Sequence, residues 1–87
     1  MTPPVQVLEF KYTGELVGVF ANVSEPRGLL HLPALDPPQV AVCSGGDGEV
    51  KFFSMDGAAT GNFTREGLIP HDVSAHPEDP DAIMVAY

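Results

Sequence analysis

Apolar side chains recur along this chain at every second position in short runs, and each run ends at glycine, proline or an acidic turn residue. A period of two is the spacing of a β-strand, whose side chains point alternately to opposite faces. Val5 to Tyr12 carries Val5, Val7 and then Phe10 before the turn Thr13-Gly14, and Glu15 to Val23 alternates through Leu16 and Phe20. Gly28 to Leu32 follows Pro26, and Gln39 to Ser44 follows Asp36-Pro37-Pro38. Glu49 to Met55 then runs into Asp56-Gly57, a hairpin signal because both central residues tolerate positive φ. Thr60 to Arg65, His71 to Ala75 after Pro70, and Ala82 to Tyr87 after the Pro77 to Pro80 turn complete the series. No segment combines helical periodicity with caps. The pattern predicts an all-β chain of short strands.

The order of these strands repeats. A shift of 43 positions lays Val7 on Val50, Phe10 on Phe53, Gly14 on Gly57, Gly18 on Gly61 and Phe20 on Phe63. Asp36-Pro37 falls on Asp79-Pro80 and Val42 on Val85; one extra residue before Pro70, removed again after Pro77, brings Pro26 onto Pro70 and Pro33 onto Pro77. The matched residues fix turns and core faces. The sequence therefore predicts one unit, 1–87, made of two tandem four-stranded repeats at about 1–44 and 45–87. Gly45-Gly46-Asp47-Gly48 joins them and reads as a tight reversal.

Four-stranded units with a period in the low forties characterise β-propeller blades. The run Glu25-Pro26-Arg27-Gly28-Leu29, preceded by Gly14 to Phe20, resembles the NHL repeat, and Gly46 to Phe53 is similar to the middle of a WD-type blade, although the WD dipeptide is absent. The resemblance covers nearly the whole chain as two blades. Blades bury both faces, so two alone leave apolar sheet faces in water at a cost of about 25 cal/mol per Å². Three outcomes are open: part of a longer propeller, a ring of identical chains totalling about six blades, or an eight-stranded β-sandwich.

Charge narrows the partners. Twelve acidic against four basic residues give a formal charge of −8, a field that repels phosphate backbones and anionic lipid headgroups. Nucleic acid is not an expected partner, nor is membrane insertion, since no run approaches the roughly eighteen apolar residues a spanning helix needs. Other protein subunits or copies of the chain are. With 44% hydrophobic residues the chain is too apolar for a solvated tail. The one cysteine, Cys43, sits in the apolar run Val40 to Cys43; with no secretory signal visible after Met1, a cytoplasmic location is favoured and the sequons at Asn22 and Asn62 carry no weight.

Candidate chemistry centres on His71. The resemblance to NHL-type propellers places strand starts on a central channel, which makes Arg27, His71 and Asp72 candidate binding residues. Ile69-Pro70-His71-Asp72-Val73 is similar to the metal-binding stretches of NHL-type amidating lyases, so the resemblance implies zinc on His71. Arg27 or Gly28 stands at the corresponding place in the first repeat, so one chain supplies one ligand, and neighbouring Arg27 cations oppose a dication. No metal or other cofactor is expected on the residues themselves. His76 precedes Pro77 in a turn, and His31 alternates away from Leu30 and Leu32. Glu78, Asp79 and Asp81 read as a solvated turn, because Pro80 interrupts them and calcium needs converging oxygen ligands. Ser24, Ser44, Ser54 and Ser74 lack a nucleophile context, and Cys43 lacks basic neighbours that would activate it. The expected function is a non-catalytic interaction or scaffold module; the alternative is a propeller metalloenzyme with a channel zinc.

Overall fold

A computed structural model describes residues 5–87. The strands are β1 (Gln6–Phe10), β2 (Leu16–Asn22), β3 (Pro26–Leu32), β4 (Gln39–Ser44), β5 (Glu49–Ser54), β6 (Ala59–Thr64), β7 (Asp72–Ala75) and β8 (Ile83–Ala86), and no helix occurs among the described residues. The all-β expectation holds.

The grouping of the strands differs from expectation. The eight strands do not form two four-stranded sheets, nor the two layers of a sandwich; they form three antiparallel sheets, β1-β2, β3-β4-β5-β6 and β7-β8. The physical reason lies at Gly45 to Gly48. This segment does reverse the chain tightly, with Gly48 N–H donating to the Ser44 carbonyl at 3.0 Å, but the reversal makes β4 and β5 hairpin partners. Residues on either side of the reversal therefore share a sheet. The seam between sheets falls instead at Val23–Glu25 and after Thr64.

Three layers result, and the middle one is covered on both faces. Ala21, Val23, Val40, Val42 and Phe53, with Val7 and Phe20 alongside, fill the space between β1-β2 and the central sheet. Ala41, Cys43, Val50 and Val73, joined by Leu30, Leu32, Phe52, Ile83 and Val85, fill the space between the central sheet and β7-β8. Consecutive residues Val40 to Ser44 are consequently all buried, as expected for a strand with no solvent face. Each outer sheet is covered on one side only. Leu8, Phe10, Leu16, Val17 and Val19 on β1-β2 are about half exposed, and so is Met84 on β8.

Two turns at equivalent sequence positions adopt one conformation. Gly14 and Gly57 close the β1-β2 and β5-β6 hairpins with φ of +92° and +91°, a region that L side chains rarely enter. Ser54 Oγ donates to the Asp56 carboxylate and the Ala58 N–H donates to the same Oδ1 at 3.2 Å, fixing the second turn from inside.

Candidate functional site

Of the three sequence-predicted binding residues, Arg27 lies on β3, Asp72 begins β7 and His71 immediately precedes it; β3 and β7 run side by side where the central sheet meets β7-β8. Close approach begins with Gly28. A Cβ built there would stand 2.8 Å from Asp72 Oδ1 and 3.3 Å from Asp72 Cα, so glycine lets the two backbones approach without displacing Asp72. That contact brings Arg27 to His71, and Arg27 Nη1 donates to His71 Nδ1 at 2.7 Å. Because guanidinium has no acceptor, Nδ1 must be the lone-pair nitrogen and the imidazole proton sits on Nε2. Asp72 Oδ1 accepts from the Val73 N–H at 2.9 Å, which pins its carboxylate against its own backbone, facing Gly28.

Sequence reasoning missed the cradle beneath Arg27. Glu25 Oε2 lies 3.6 Å from Arg27 Nη2, and the arginine side chain crosses the backbone of Gly45 so closely that a Cβ there would collide with Nε. Backbone bonds from Gly45 N–H to the Glu25 carbonyl at 2.9 Å and from Gly46 N–H to the Ser24 carbonyl at 3.1 Å zip the two segments together. The Ser44 hydroxyl adds a bond to the Ser24 carbonyl at 2.8 Å. Glu25 takes a φ of +49°, a left-handed conformation unusual for a residue with a side chain. No local signal foretold it; the sequence signal for the cradle was the Gly45-Gly46 pair itself.

Arg27 and His71 are both partly exposed at one rim of the central sheet, flanked by the carboxylates of Glu25 and Asp72. Behind them Cys43 is fully buried, and its thiol is pushed up from its ordinary value by that burial and, secondarily, by the negative charge of Asp72. It is held as an inert thiol. Ser44 is committed to its backbone bond. Every buried side-chain polar atom among the described residues has a partner.

The donors do not fit zinc within one chain. His71 has Nδ1 engaged by a guanidinium, and among the described residues no three histidine, cysteine or carboxylate side chains converge. His31 lies exposed between the packed Leu30 and Leu32. His76 Nδ1 accepts from the N–H groups of Glu78 and Asp79 at 3.1 and 3.0 Å, and Asp79 Oδ1 accepts from Asp81 N–H at 2.9 Å, so those residues build a turn.

The fold and its rim thus define an all-β protein of three stacked antiparallel sheets with incompletely covered outer layers. No protein-family model, curated protein or solved structure matches the chain.

Proposed function

We propose that this chain is a non-catalytic protein-interaction module of the β-propeller type, built from two tandem four-stranded repeats resembling NHL and WD-type blades. The shift of 43 positions supports the repeat: it carries β1 onto β5, β2 onto β6 and β4 onto β8, and one further residue carries β3 onto β7. On this reading the central sheet is one whole blade, β1-β2 is the outer half of the blade before it and β7-β8 the inner half of the blade after it. The observation that carries the functional reading is the apolar outer layer. Leu8, Phe10, Leu16, Val17 and Val19 are all about half exposed on this one two-stranded sheet, a density of exposed apolar side chains that marks interaction surfaces.

The experiment is a comparison of proteins captured by the wild-type chain and by Leu16→Glu/Val19→Glu. These positions are already exposed, so the fold survives the change. Partners held by the wild type and released by the variant support the module; identical capture by both removes it. The metalloenzyme alternative draws less support, since His71 Nδ1 accepts from Arg27 and no three possible metal ligands converge among the described residues. Stoichiometric zinc in purified protein, lost on His71→Ala, would restore it.

A further inference from the structure

The free edges of β1 and β8 are complementary to one another. In the central sheet β4 pairs with β5, with Val40 opposite Phe53, Ala41 opposite Phe52 and Val42 opposite Lys51. β8 stands where β4 stands in its repeat and β1 where β5 stands, yet among the described residues each of these two strands has a neighbour on one side only. We propose that β8 of one copy pairs antiparallel with β1 of a second copy in the β4-β5 register, completing a four-stranded sheet β7-β8-β1-β2 shared between chains. The register places Ile83 opposite Phe10, Met84 opposite Glu9 and Val85 opposite Leu8. This inference rests on the interaction-module reading and names the partner at its apolar edge.

Three observations beyond the open edges converge on it. The rings of Phe20 and Phe53 meet edge to face across the first sheet boundary, with centroids 6.2 Å apart. The same shift pairs Phe63 of one copy with Phe10 of the next; Phe53 is 5% exposed and Phe10 56%, so the second aromatic contact is present in outline and lacks only its partner. At Gly57 the Phe20 carbonyl fills the space a Cβ would take, whereas Gly14, with the same φ, faces open space where the Phe63 carbonyl of another copy would fit. Two clefts, finally, have the required walls. Leu32, Phe52, Phe63 and Ile83 line one beside β8 that would receive β1-β2, and Leu8, Leu29 and Val40 line one beside β1 that would receive β7-β8.

Charge permits the pairing. No two like charges face each other in this register, and Lys11, opposite Ala82, comes beside Asp81. The contact is head to tail, so each chain offers one edge and takes one, and the series closes into a ring if the rotation per copy allows.

Cross-linking tests the register. Residues directly opposite on paired strands lie about 5 Å apart, within disulfide reach, and those displaced by two residues lie beyond it at about 7–8 Å. Glu9→Cys/Met84→Cys, oxidised at physiological ionic strength, should give covalent multimers, and Glu9→Cys/Ala82→Cys should not. Native mass spectrometry should give a multiple of the chain mass for the wild type and a single-chain mass for Phe10→Asp with its strand circular dichroism intact. A single-chain wild type without cross-links, or equal cross-linking by both cysteine pairs, overturns the inference. If that single chain still captures a partner that Leu16→Glu/Val19→Glu releases, the module stands and only the self-pairing falls; if capture is also indifferent to those residues, both fall.

Discussion

Arg27 and His71, 44 positions apart in the chain, meet each other, guanidinium to imidazole, at 2.7 Å. Their strands are neighbours, and the glycine after Arg27 removes the side chain that would hold them apart. The bond fixes a tautomer, which nitrogen-detected NMR reads directly. The His71 ring should carry its proton on Nε2 under conditions where it is neutral, and Arg27→Met should abolish that bias. The pair is exposed, so the same substitution should cost no more than about 1 kcal/mol of stability.

Gly28 is the point where β3 and β7 pack most tightly on each other. Gly28→Ala places a methyl group 2.8 Å from Asp72 Oδ1 and 3.3 Å from its Cα, forcing the carboxylate to move, and should destabilise the chain by about 1 kcal/mol, seen as a lower denaturant midpoint. Gly18 and Gly61 provide the control, since a Cβ at either meets nothing within 4 Å. Alanine there should be neutral or slightly stabilising through the unfolded chain.

Asp47 links pH to the central hairpin. Its carboxyl is held below the usual carboxylate range, first by the hydrogen bond from Lys51 at 2.6 Å, then by that ammonium's charge, with Ser44 a smaller contributor. A group whose native pKa is depressed stabilises the fold above its unfolded value, about pH 4, and loses that contribution as pH falls through the native value. Lys51→Met should therefore lower stability at neutral pH by no more than about 1 kcal/mol, since the pair is solvent-screened. The gap between variant and wild type in urea titrations should close in acid.

Cys43 should be silent toward thiol reagents in the native protein and react fully once denaturant exposes it. Burial raises its thiol first and Asp72 adds to the effect, so Asp72→Asn should bring the value part of the way down without making the sulfur accessible. Native reactivity in the wild type would show that the space between the central sheet and β7-β8 opens in solution.

Much of this architecture was legible in the residues. Short apolar runs, alternating where a strand has one buried face and continuous at β4, located all eight strands, and the aspartate-glycine and glycine-rich turns fell where hairpins reverse. Alternation does not say which strand pairs with which. The sheets therefore divide at Val23 to Glu25, where sequence reasoning placed no boundary, and the four glycine-rich residues thought to separate the repeats join the most buried pair of strands. Arg27, His71 and Asp72 were visible as strand starts. Their contact was not, since it depends on two sheets lying side by side, and the left-handed Glu25 that supports Arg27 carries no signature of its own.

The hairpin at Gly45 to Gly48 also fixes how the polypeptide can be divided. Cutting there would not release two autonomous halves; it would tear β4 from β5 and strip the cover from Val42 and Val50 at once. Fragments ending at Ser44 and beginning at Glu49 should each be unfolded alone and regain sheet structure when mixed, as complementary pieces of one ladder.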